Sequence, residues 1–174
     1  WKLGVAVRLV QVKYDKIGEN FYVDTTFGRI NVTSSKNALN GYQKSKCFFC
    51  YDYISIVKKS LNLCNVDHFF PHTLNGKDFS GYVDGIWNLV LSCKDCNRGE
   101  GGKFAQLPKI KLLDRLNKRN EYFCSSHHPL RETIMLQTGN TREQRRSFLQ
   151  KCFNEAIKIL IHTWKPEPKG ISTF

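Results

Sequence analysis

The sequence predicts an α+β domain in three parts: an N-terminal β segment over 1–35, a small core over 36–107 and a basic α-helical extension over 108–174. Three observations carry that prediction. β-Favouring runs open the chain, two Cys-x-x-Cys pairs (Cys47/Cys50 and Cys93/Cys96) bracket its middle, and apolar residues recur at helical spacing after Pro108. With 174 residues, 41% of them apolar and 12 of them Phe, the chain has the means to bury a core and does not read as disordered.

Residues 5–12 (VAVRLVQV) and 21–32 (FYVDTTFGRINV) are rich in Val, Phe, Tyr and Thr, and the stretch between them carries Gly18, so they read as a strand pair. Residues 36–45 read as a short helix leading into the first Cys pair, against the weakening effect of Gly41. Ile54 to Val57 and Val66 to Phe70, the second closed by Pro71, read as a small hairpin. From His72 to Gly85 the chain is polar and carries Gly76, Gly81 and Gly85, as a surface loop does. The segment WNLVLSC then delivers the second Cys pair. Helices are expected over 109–122, over 129–138 with Gly139 closing it, and over 141–164. Thr141 and Gln144 have capping-box spacing at the start of the last helix. Its stripe of Phe148, Leu149, Cys152, Phe153, Ala156, Ile157, Leu160, Ile161 and Trp164 reads as core, with a partner-binding face as the alternative. Pro166 and Pro168 end it.

Seven cysteines are an odd number, and only four of them fall into the repeated pairs, leaving Cys64, Cys124 and Cys152 outside the pattern. That suggests a metal site in a reducing, cytoplasmic setting, not a disulfide scaffold. Two Cys-x-x-Cys turns supply four thiolates to one tetrahedral Zn²⁺, with Cys47, Cys50, Cys93 and Cys96 as ligands. The 42 residues between the pairs exceed the usual zinc-ribbon spacing, so an insertion must lie between the two knuckles. The alternative is four independent core cysteines, which have no reason to repeat the same spacing. A closed four-cysteine site has no open position for water, so this zinc is expected to be structural.

Lys and Arg number 27 against 15 Asp and Glu, a formal charge of +12, which makes a polyanion the first partner to consider, nucleic acid or an anionic membrane. No apolar run approaches the ~20 residues that cross a bilayer, and the opening WKLGVAVRLVQV lacks the order of a signal peptide, so neither insertion nor secretion is expected. The chain begins with Trp and reads as strand from its first residues, which leads us to expect upstream domains of a longer protein. Between 97 and 151 the basic residues Arg98, Lys103, Lys109, Lys111, Arg115, Lys118, Arg119, Arg131, Arg142, Arg145, Arg146 and Lys151 face only Glu100, Asp114, Glu121, Glu132 and Glu143. This density can neutralise phosphates; the alternative is a solvated helical face.

The strings CFFC, VDHFFPH and WNLVLSCKDCNRGEGGK, in that order over about residues 40–105, resemble the HNH endonuclease family. The helical part resembles C-terminal HNH modules of larger bacterial proteins. The resemblance implies a ββα-metal core stabilised by a four-cysteine zinc, and with it hydrolysis of DNA phosphodiester bonds, RNA being the other substrate left open. It implies Asp67 and Asn97 as ligands of a catalytic Mg²⁺ or Mn²⁺, His68 as the base, and Asn88 as the middle motif residue that braces the hairpin and orients His68. The last motif position, often His, is here Asn97, a variant that also occurs in the family.

The residue chemistry agrees with that implication. Phosphodiester hydrolysis needs a base for water, a cation for the phosphate and a rigid frame. An imidazole with an ordinary pKa of ~6.5 can serve as the base, and Asp67 and the Asn97 carboxamide are hard oxygen donors. Arg98 and Lys103 flank the motif's helix and are the candidate phosphate contacts. Plainer readings stand beside these: Asn97 as a helix N-cap, Asn88 bonded to local backbone, His72 in solvent, His127 and His128 at the start of a helix. A non-catalytic, zinc-stabilised nucleic-acid-binding domain is the alternative function, and a zinc-built protein-interaction module a third that would leave the basic charge unused.

Overall fold

The computed structural model describes residues 11–15, 20–25, 28–31 and 33–172, with side chains from Lys36 onward. The chain is a mixed α+β structure with small antiparallel and parallel sheets. β1 (Gln11–Asp15), β2 (Asn20–Thr25) and β3 (Gly28–Asn31) form an antiparallel sheet in the order β1-β2-β3. The single run expected over 21–32 is therefore two strands, and most of the strand expected over 5–12 lies outside the described residues.

Helix α1 (Thr33–Gln43) delivers the chain to the first Cys pair. The expected hairpin between 54–57 and 66–70 does not form. β4 (Asn65–His68) pairs antiparallel with the distant β5 (Leu89–Ser92), with Val66 opposite Leu91 and His68 opposite Leu89. Burial decides this. Leu89, Val90 and Leu91 are all fully buried, the mark of a strand covered on both faces. Ile54 and Ser55 instead donate to Ser45 O and Asn62 O at 2.9 Å each, within their own loop.

Side chains and one loop amide, Phe48 N donating to Leu91 O at 2.9 Å, complete the pairing of β5 in place of a further strand. The buried Gln43 amide imitates a neighbouring strand: Leu91 N donates to its Oε1 at 2.8 Å and its Nε2 donates to Leu91 O at 2.7 Å. Arg119, fully buried on α3 (Ile110–Ser125), donates to Leu89 O and Trp87 O. Buried backbone groups need such partners, and these come from helices on either side of the motif. Around the pair, Phe48 meets Phe49 and Phe69 edge to face at 5.3 and 6.1 Å, and Phe70 packs on Trp87 at 5.6 Å.

β5 runs into the short helix α2 (Lys94–Arg98). The extension consists of α3, α4 (Arg131–Thr138) and α5 (Arg142–Ile159), close to the expected spans. Gly139 closes α4 at φ 128°, which an L side chain resists, and Thr141 with Gln144 forms the expected capping box. α5 ends five residues before Trp164, because that indole packs edge to face on Phe49 at 5.3 Å. Its segment, β7 (Thr163–Trp164), pairs in parallel with β6 (Leu107–Pro108). Leu149, Cys152, Phe153 and Ala156 are core as expected, whereas Ile157 and Ile161 are exposed. No helix among the described residues is long and apolar enough to cross a membrane.

Gln43→Ala should leave Leu91 N buried without a partner, while Leu91 O keeps its bond from Phe48 N at 2.9 Å, and lower stability by about 1–3 kcal/mol. Chemical denaturation measures this, and a loss below ~0.5 kcal/mol, the range of an ordinary surface substitution, would show that the amide does not hold β5.

Candidate functional site

Cys47 and Cys50 lie on the turn after α1, and Cys93 and Cys96 at the start of α2. Their four sulfurs lie within 4.8 Å of one another, and Cys50 Sγ is 3.7 Å from Cys93 Sγ. Tetrahedral Zn²⁺ with bonds of ~2.3 Å sets sulfurs about 3.8 Å apart, whereas a disulfide needs about 2.05 Å. The cluster can hold a zinc ion. Cys93 N donates to Cys47 Sγ at 3.3 Å and Cys96 N to Cys93 Sγ at 3.4 Å, which favours sulfur as an acceptor and hence as thiolate. Four thiols this close share protons unequally: hydrogen bonds among them push Cys47 and Cys96 up and hold Cys50 and Cys93 down. A cation removes that conflict by taking all four as thiolates.

Arg115 matches this charge. It is 7% exposed, stacks over the Tyr51 ring at 4.1 Å and the Phe48 ring at 4.9 Å, and none of its three nitrogens has a hydrogen-bond partner among the described residues. Burial presses its pKa down, while Tyr51, Tyr42, Cys47 and Cys50 push it back up. A zinc tetrathiolate carries a net charge of about −2, which a neighbouring buried guanidinium offsets. Cys64, Cys124 and Cys152 are outside the cluster; burial raises all three thiols, Cys152 to about 12, so they pack as small hydrophobes.

Beside the cluster, Asp67 and His68 lie on β4, Asn88 immediately before β5, and Asn97 and Arg98 on α2. Asp67 is 7% exposed on β4, its Oδ1 3.4 Å from Lys103 Nζ. Its Oδ2 is buried with no hydrogen-bond partner among the described residues. Burial raises the Asp67 carboxyl, and the Lys103 charge draws it back down. His68 ends β4 with Nε2 3.0 Å from Asp84 Oδ1, and His72, largely exposed, brings its Nε2 to 3.6 Å from the same oxygen. The two imidazoles meet edge to face at 5.8 Å.

Asn88 ties the two carriers of this polar group together. Fully buried, it donates to Phe70 O at 2.9 Å and Val83 O at 2.7 Å, and accepts from Phe70 N at 2.7 Å. Phe70 follows His68 by two residues and Val83 precedes Asp84. Asn97 is half-buried inside α2, so it is not the N-cap; Cys93 caps that helix through its thiol.

Of the two phosphate candidates, Arg98 is exposed and Lys103 is not. The expectation that Lys103 faces a phosphate meets a contrary geometry: its ammonium turns inward to Asp67 and donates to Phe104 O at 3.1 Å. The wider basic cluster also shrinks, because Arg115, Arg119 and Arg145 are buried, the last clamped to Glu121 at 2.7 Å through both Nε and Nη2. His128 accepts from Leu130 N at 3.2 Å and stacks on Phe123 at 4.6 Å, a role at the start of α4, and His127 is exposed.

Asp84 is the site residue that the sequence reading missed. It sits in an Asp-Gly pair that resembles any turn, and only the folded loop brings it to His68.

The purified chain should hold one Zn²⁺, and Cys96→Ser should lose it together with much of its stability, as elemental analysis and thermal denaturation would record. Acid should release the ion, since protons compete for the thiolates. Full stability and no zinc at neutral pH would refute the metal assignment.

No family model, curated protein or solved structure matches this chain, and what the site can do rests on its own residues.

Proposed function

We propose that this chain is an HNH-type endonuclease module that hydrolyses DNA phosphodiester bonds with a divalent cation, Mg²⁺ or Mn²⁺, held by Asp67 and Asn97. The observation that carries the proposal is the order β4, β5, α2 beside the four-cysteine cluster. Asp67 and His68 end β4, Asn88 immediately precedes β5, and Asn97 lies on α2, which packs against β4.

The donor chemistry fits such a cation. Asp67 and Asn97 bring hard oxygens, and a buried carboxylate oxygen without a hydrogen bond is an atom that a cation satisfies. When bound, the ion would supply positive charge against the phosphate and the leaving oxygen. In this reading His68 accepts the proton of the attacking water, and Asp84 holds the ring and offsets the charge it gains. Asn88 keeps the segments that carry both residues in register. Arg98, exposed and next to Asn97, meets the phosphate backbone, which positions the substrate without reading its sequence.

The inward Lys103 favours the alternative, a zinc-stabilised nucleic-acid-binding domain without catalysis, since an ammonium already neutralises Asp67. Cleavage separates the two. With added Mn²⁺ the wild type should nick supercoiled plasmid and EDTA should stop it. His68→Ala should lower the rate by roughly 10²–10⁴-fold while DNA binding and zinc content persist. Binding should also weaken steeply as salt rises from about 50 to 200 mM. A His68→Ala protein that nicks at the wild-type rate, in a preparation free of other nucleases, would exclude His68 as the base.

A further inference from the structure

Lysine normally keeps its ammonium in water and lays only its stem on the protein. Lys103 does the reverse: it is 1% exposed, and its Nζ lies 3.4 Å from Asp67 Oδ1. The loop before it is built to aim it this way. Lys103 N donates to Cys96 O at 2.7 Å, which ties the residue to the end of α2. A Cβ on Gly99 or Gly102 would lie 2.5 or 2.6 Å from Asp95 backbone atoms, so the loop can press against α2 only with glycine at both places. From the far end of the chain, Trp164 Nε1 donates to Gly101 O at 2.7 Å and pins the loop from outside.

The contact so enforced is half-made. The separation exceeds the ~2.7–2.9 Å of a good charge-assisted hydrogen bond. Asp67 Oδ2 gains nothing from it and has no other hydrogen-bond partner among the described residues. A pair selected for stability alone would satisfy both oxygens; this one balances charge and leaves the carboxylate open to a better cation.

We propose that Lys103 is the resident cation of the Asp67 carboxylate and that a divalent ion binds there by displacing it, so that Lys103 sets the site's metal affinity. The inference rests on the reading of Asp67 as a metal ligand. A positive charge next to a cation site weakens binding by about one to two orders of magnitude, by the same interaction that moves a neighbouring pKa by one to three units.

The test titrates Mn²⁺ into the full, zinc-loaded chain and follows free Mn²⁺ by electron paramagnetic resonance. Lys103→Gln and Lys103→Met should bind Mn²⁺ about 10- to 100-fold more tightly than wild type. Lys103→Arg, which keeps the charge, should stay near the wild-type value, and Asp67→Asn should lose binding. If the neutral variants fold poorly, the wild type alone answers the question. Acetylation of Lys103, read by mass spectrometry, should be slow without Mn²⁺ and faster at saturation, because the ammonium leaves its buried place. Equal or weaker Mn²⁺ affinity in the neutral variants, or unchanged protection of Lys103 on Mn²⁺ saturation, would overturn the exchange while Asp67→Asn still abolishes binding. Unchanged affinity in Asp67→Asn would instead remove Asp67 as a ligand and the exchange with it.

Discussion

The meeting of four thiols at one point organises the middle of this molecule. Cys50 and Cys93 are 43 positions apart, yet their sulfurs approach to 3.7 Å. Closing a loop of that length costs entropy that local contacts do not return, so a bond at the closure has a large effect on what the loop can do. Once the two knuckles meet, WNLVLSC lies beside VDH, and the β4–β5 pairing follows at the register that places His68 opposite Leu89. A metal bound at this cluster would contribute its binding energy to folding, and the polar group beside it depends on that frame.

A second constraint concerns charge. A chain with a formal +12 would be expected to spend its cations at the surface, but Lys103, Arg115, Arg119 and Arg145 are all buried. Each has a local counterpart: Asp67 for Lys103, the Tyr51 and Phe48 rings for Arg115, the backbone of β5 for Arg119, and the carbonyls of Gly139 and Asn140 with Glu121 for Arg145. The last bond joins α3 to α5 and steadies the helical extension. Basic residues therefore do two jobs here, and composition alone does not separate them. Of the basic cluster between 97 and 151, Arg98, Lys109, Lys111, Lys118, Arg142, Arg146 and Lys151 remain exposed and available to a polyanion.

The parts legible in the sequence are those with a short-range signature. The Cys-x-x-Cys repeat announced its cluster, the Thr141–Gln144 spacing its capping box, and the 3.6-residue period the helices of the extension. What escaped depends on distant partners. Val66 to Phe70 looked ready for the nearer β-favouring run, but burial of Leu89, Val90 and Leu91 gave it a partner more than twenty residues away. Gln43 as a surrogate strand, Trp164 leaving the helical period to pack on Phe49, and Asp84 meeting His68 all follow from tertiary placement that no local pattern encodes. Lys103 is the sharpest case, since its position after three glycines reads as an exposed loop and its ammonium lies inside.

The proposed function requires two metal sites of opposite character, a soft tetrathiolate for structure and a hard oxygen site for chemistry. Anomalous diffraction from crystals grown with Zn²⁺ and then soaked in Mn²⁺ addresses both at once. The zinc edge should give one peak, inside the Cys47, Cys50, Cys93 and Cys96 cluster, and the manganese edge a separate one at Asp67 and Asn97. Manganese absent from Asp67 while zinc fills the thiolates would contradict the proposed catalytic site and leave the zinc frame without the chemistry assigned to it.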